Sequence, residues 1–142
     1  AINAFKKEIS QFFATKEEGA MTEYVGCKVE KKQGCLFFHQ SDLIEKLRKS
    51  FMSKIEKLRI YKTPGTPRQG IVRPKDGEEK IDGKSQNEYR SGVGMLLFLV
   101  KYSRPDIANA VRELSKVNDG ATQAHVKELY RLIKFVMAGR NF

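Results

Sequence analysis

Two cysteines and a histidine, Cys27, Cys35 and His39, fall close together in the chain and are its densest group of metal-ligating side chains. Thiolates and imidazoles hold zinc when four of them converge. A fourth donor is missing nearby, since the only other histidine, His125, lies far along the chain. Two free, half-buried thiols account for the same residues. No Ser/His/Asp arrangement, P-loop or G-x-G-x-x-G motif occurs, so hydrolase and nucleotide-binding chemistry have no footing. What the sequence does offer is electrostatic. Residues 41–75 hold ten Lys and Arg against Asp42, Glu45 and Glu56, net +7 in a chain of net +10. A field concentrated in this way suits an anionic partner, nucleic acid first, although a solvated helix and linker would carry the same charges. Lys46, Arg48 and Lys49 are candidates for phosphate contact, or else the wet face of a helix.

The chain that must position these groups has 142 residues, 40% hydrophobic and 31% charged. That is the composition of one globular domain or two small subdomains. Its longest apolar run, Met95 to Val100, is far short of the ~20 residues that cross a bilayer, so no membrane partner is expected. The first residues mix Lys6, Lys7 and Glu8 with Ile2 and Phe5, unlike a secretion signal. With only two cysteines, a reducing, intracellular setting is expected, cytoplasmic or nuclear.

Hydrophobic spacing gives an α+β order with the only sheet near the start. Phe5, Ile9, Phe12 and Phe13 predict an amphipathic helix over residues 3–15. Tyr24–Glu30 alternates, with Val25, Cys27 and Val29 on one face, and Cys35–Gln40 is a second strand-like run. Lys31–Gly34 supplies the turn of a hairpin over 23–40, which places Cys27 nearly opposite Cys35. Ser41 is a candidate N-cap for a basic helix to about residue 58, with Leu43, Ile44, Leu47, Phe51, Ile55 and Leu58 as its apolar stripe. Residues 62–87, rich in Pro and Gly, read as a long linker and as the boundary between residues 1–61 and 88–142. Ser85 and Glu88 have capping-box spacing ahead of a helix to about Tyr102 that is apolar nearly all round and must be covered on most sides. Gly92 and Gly94 inside it mark places where a backbone or ligand comes close. Two more helices follow, one opened by Ser103–Asp106 with Pro105 in its first turn. Together the three form a helical bundle.

Several runs in order carry a resemblance. Glu23–Glu30, Tyr89–Leu97, Ser103–Val111, and Gly120-Ala121-Thr122 with His125 resemble the reverse transcriptase of copia-type LTR retrotransposons, over nearly the whole chain. The resemblance implies the end of the polymerase palm, a primer-grip hairpin over 23–40, and a thumb with the start of its connection over 88–142. It implies that the chain starts just after the catalytic Tyr-x-Asp-Asp segment and stops before any ribonuclease H segment.

On that resemblance, the first thumb helix lies along the minor groove of the primer–template. Close approach favours small residues, and a grip independent of sequence favours cations and shape. Arg90, Gly94 and Phe98, four apart on one helix face, with Lys101 near the same side, become candidates for this track. Gly94 is equally suited to helix packing and Phe98 to the core. Tyr24, Val25 and Gly26 match the primer grip, where Gly26 either admits a close backbone or is an ordinary bulge glycine. Nucleotidyl transfer needs carboxylates that hold two Mg²⁺ ions. Asp42, Asp76, Asp82, Asp106 and Asp119 are scattered and none stands in a Tyr-x-Asp-Asp setting. No cofactor is therefore expected in this chain, Mg²⁺ belonging to the full polymerase, and no catalytic residue is assigned. The expected function is to grip an RNA–DNA or DNA duplex for an RNA-directed DNA polymerase, inactive alone and partnered by the palm and fingers portion or another polypeptide. The alternative is a stand-alone nucleic-acid-binding or protein-interaction module, domesticated or decayed.

Overall fold

The computed structural model describes residues 1–16, 19–67 and 70–139. Residues 68 and 69 of the expected linker and the last three of the expected thumb lie outside them. The fold is α+β: helix α1 (Ile2–Phe12), a three-stranded antiparallel sheet in the order β1 (Glu23–Tyr24), β2 (Cys27–Lys32) and β3 (Cys35–His39), then helices α2 (Ser41–Ile55), α3 (Gly83–Tyr102), α4 (Ala108–Ser115) and α5 (Gln123–Ala138).

The alternating run expected as one strand over Tyr24–Glu30 is broken by a two-residue turn. Val25 and Gly26 both have positive φ, 48° and 72°, as a tight hairpin that matches the sheet's twist requires. Tyr24 then pairs with Cys27 and shares its face, so Val25 sits at the tip and not beside Cys27. Gln33 and Gly34 make a second such turn. Cys35 faces Lys32 across it, and Cys27 is far from Cys35 in register. A diagonal Tyr24–Phe38 ring contact, 6.3 Å between centroids, lies on the face of β2 that carries buried Cys27 and Val29.

One core joins the helices. Leu47, Phe51 and Ile55 of α2 meet Tyr89, Val93, Leu96 and Leu99 of α3, and Leu129, Leu132, Ile133 and Val136 of α5. The basic helix, grouped above with residues 1–61, is thus part of the same core as the three later helices. Gly92 explains the closeness: a Cβ there would stand 2.9 Å from Phe51 Cζ and 3.1 Å from a Leu129 methyl. The Tyr89 hydroxyl donates to Leu114 O at 2.9 Å, and burial pushes its pKa up.

Helix α3 begins earlier than expected because Asp82, not Ser85, caps it. The Asp82 carboxylate accepts from the N–H groups of Lys84 and Ser85, and the Ser85 bonds hold that carboxyl below its usual range. Glu88 pairs instead with Lys54 of α2. A 3₁₀ turn over Pro105–Ile107 leads into α4. Before it, the buried Arg104 lies on Asp106 through two 2.8 Å bonds and over the Phe135 ring. Thr122 and His125 form a reciprocal capping box at α5.

The described residues between α2 and α3 form a strap largely without helix or strand. It is tied to α4 and α5 by Thr66 on Glu128, Ile71 N–H on Glu113, and Arg131 on Thr63, Gly65 and Thr66. The strap and these helices line a cleft of about 800 Å³. By contrast, none of the residues of α1 is buried, and Phe5, Phe12 and Phe13 stand in solvent. Among the described residues no helix is long and apolar enough to cross a membrane.

Candidate nucleic-acid interface

The turn after β1 is where the sheet meets the bundle. Gly26 lies against the ring of Phe98 on α3, and a Cβ built on it would be 3.3 Å from Phe98 Cε1. Only glycine combines this contact with a positive φ at little strain. Phe98 is half-buried, between Gly26 and Tyr102, whose ring centroid is 5.2 Å away. Val25 beside it adopts the left-handed region, which costs a β-branched residue about 1–2 kcal/mol, yet its side chain is 49% exposed. Tyr24 is 55% exposed on the other side of the turn. The tip thus presents two apolar side chains to solvent next to α3.

Gln40 fixes the base of the sheet to the same helix. Only 2% exposed, it donates from Nε2 to the Phe98 carbonyl at 3.1 Å and accepts at Oε1 from Ser103 Oγ at 2.6 Å.

From the turn an uncovered stripe runs back along α3. Lys101, Leu97, Gly94, Ser91 and Arg90 are exposed, while Gly92, Val93, Leu96 and Leu99 face the core. The helix expected to be covered on most sides therefore leaves one side open. Gly94 has nothing within 4 Å of where a Cβ would be. Internal packing needs a glycine at position 92 but not at 94. Arg90, exposed, donates through Nε to Asn118 O at 2.6 Å. Lys101 Nζ rests 5.1 Å from the Tyr102 ring centroid. Small residues, an apolar side chain and two cations along one open helix side suit close approach to a groove whose walls carry phosphates.

The remaining basic candidates stand elsewhere. Lys46 and Lys49 are exposed on the solvent side of α2, where Asp42, Glu45 and Ser50 share a shallow depression with them. Arg48 is engaged by Glu45 through bonds of 2.9 and 2.7 Å, which raise its pKa further. That pairing competes with any phosphate for the guanidinium. Three of the five aspartates are engaged as well: Asp42 with Lys28, Asp82 at the α3 cap, Asp106 with Arg104. Among the described residues no three Cys, His, Asp or Glu converge to hold a metal. Cys27, Cys35 and His39 do not meet, and His39 instead contacts Glu30. The donor set for a two-Mg²⁺ centre does not fit the described residues.

Sequence reasoning singled out Tyr24, Val25, Gly26, Arg90, Gly94, Phe98 and Lys101, and these lie at one junction or along the helix that leads from it. It missed Leu97, Ser91 and Gln40. Leu97 and Ser91 are three residues to either side of Gly94, a spacing that marks a shared helix face. Gln40 carries no comparable signal, because a glutamine before a helix is ordinarily solvated. Compared with family models, curated proteins and solved structures, the chain matches none.

Proposed function

We propose that this chain is the primer–template gripping segment of a copia-type RNA-directed DNA polymerase. The sequence resemblance supplies the family, and one observation carries the reading furthest: the Val25–Gly26 turn abuts Phe98, so the grip hairpin and the open side of α3 are contiguous. A duplex laid along α3, with its backbone near Arg90 and Lys101 and its groove floor at Gly94, would meet Tyr24 and Val25 at its end. Cations near the phosphates provide affinity without sequence preference, and affinity then falls steeply with salt. Nucleotidyl transfer is not assigned to any residue of this chain; the Mg²⁺-binding aspartates would come from the rest of the polymerase.

Titration of a labelled RNA–DNA primer–template across low to moderate salt tests the proposal. Arg90→Glu should weaken binding, while Lys46→Ala with Lys49→Ala should lower it less. Binding that is absent at low salt contradicts the reading. A protein-interaction module is the second reading, favoured by the exposed Phe5 and Phe12 of α1, the Phe13 that follows it, and Leu36, Phe37 and Phe38 of β3. Apolar patches of this kind mark protein contacts, and their binding would tolerate salt.

A further inference from the structure

We infer that Gln40 is a positioning residue that fixes the spacing between the Val25–Gly26 turn and the open side of α3, so that the two meet a duplex as a single ruler. The inference rests on the nucleic-acid reading above. Gln40 is the only residue between β3 and α2, so its backbone is the hinge on which the sheet could swing against the bundle. Its side chain closes that hinge. One end donates to the Phe98 carbonyl and the other accepts from Ser103, so both ends of the amide are tied to the C-terminal turn of α3. Buried amides that lose a partner leave an unsatisfied group, which makes such a bridge selective for one arrangement. At the same end of the sheet, in the turn between β1 and β2, Gly26 faces the ring of the same Phe98, where a Cβ would stand 3.3 Å from Cε1. The sheet is therefore attached to α3 at two points, its first turn and its last residue, and both involve position 98.

This sets a length. Arg90 lies eight residues before Phe98, about 12 Å along the axis at ~1.5 Å per residue. A B-form duplex rises about 3.4 Å per base pair and an A-like RNA–DNA hybrid somewhat less, so Arg90 falls about four pairs from the turn. With the bridge intact, the turn meets the primer end while Arg90 meets the backbone at that fixed distance. With it broken, the two contacts vary independently. Affinity for the duplex body then survives, and registration to the end is lost.

Two measurements test this. Spin labels on the native Cys35 and on Ser91→Cys, in a Cys27→Ala background, report the distance between sheet and α3 in the free protein. The parent should give one narrow distribution, and Gln40→Met, which keeps the shape but neither bond, should at least double its width. Ser103→Ala, which removes one bond only, should broaden it partly and serves if Gln40→Met does not fold. Gln40→Glu keeps the acceptor for Ser103 but turns a buried carboxylate oxygen toward the Phe98 carbonyl, so it should broaden the distribution more than Ser103→Ala does. In the second measurement, photoreactive thiobases at successive positions of a recessed RNA–DNA primer–template, with no label on the protein, report which pair lies against α3. Crosslinks to α3 should cluster about four pairs from the primer end and scatter in Gln40→Met, with duplex affinity within twofold. Unchanged distance widths overturn the inference whatever the nucleic acid does. Broadened widths with crosslinks still clustered overturn the ruler alone. Absence of binding by the parent protein overturns the functional reading and the ruler with it.

Discussion

Gly26 turns the side of its Cα that lacks a side chain toward the Phe98 ring, where a Cβ would stand 3.3 Å from Cε1. A sheet of three short strands is marginal by itself, and this contact is part of what holds it on the bundle. Gly26→Ala meets both the positive φ and the ring. It should cost about 1–2 kcal/mol from the backbone alone, read by urea unfolding, with the larger share of the loss in the sheet by hydrogen exchange.

Val25 should behave in the opposite way. Asparagine tolerates the left-handed region far better, so Val25→Asn should stabilise the chain by about 1 kcal/mol. If the exposed Val25 touches the primer end, the same substitution weakens primer–template binding. A variant more stable and no weaker in binding would assign Val25 no contact role.

Two glycines on one helix should part company. Gly92→Ala drives a methyl to 2.9 Å from Phe51 Cζ, in a packed core where overpacking costs roughly 1–3 kcal/mol, more than helix propensity returns. Gly94→Ala meets no atom and should stabilise α3 by about 0.5–1 kcal/mol. Thermal unfolding of the pair checks the contrast, and equal effects would contradict the packing described.

Asp106 provides a pH dependence. The hydrogen bonds from Arg104, and then its charge, hold the carboxyl below its ordinary range. A carboxyl with a depressed folded-state pKa contributes stability that is complete above its unfolded value, about 3.9 for aspartate. That contribution is lost as pH falls through the folded value. Unfolding between pH 6 and pH 2.5 should show this acid limb, and Asp106→Asn should flatten it while lowering stability at neutral pH. With Asp106 half exposed, the effect is modest.

The helical bundle was legible because its apolar stripes are long and regular: Leu47, Phe51 and Ile55, or Leu129, Ile133 and Val136, could face only one way. The sheet was legible in kind and not in detail. Tyr24–Glu30 alternates well enough to pass for one strand, and a Val-Gly turn lacks the Asn or Asp that advertises such a hairpin. The α3 cap was misplaced because Ser85 and Glu88 have the right spacing, but Asp82 starts the helix about one turn earlier on the N–H groups of Lys84 and Ser85, and Lys54 claims Glu88. Of the two glycines, spacing alone marked both as close approaches. Only the packing showed that Phe51 and Leu129 occupy one of them and nothing in the described chain occupies the other. Gln40 was invisible, since its partners lie 58 and 63 positions away.

Position 94 is therefore where the proposal is most exposed. The most direct measurement is the affinity of Gly94→Leu for an RNA–DNA primer–template, beside the parent chain and across salt. Position 94 is exposed and no atom of a neighbouring element lies within 4 Å of where its Cβ would be, so the fold and its stability should be kept. Salt-sensitive binding by the parent, reduced at least tenfold in Gly94→Leu, is the expected result. Equal affinity of the two, with the variant folded, would contradict a duplex groove seated on α3.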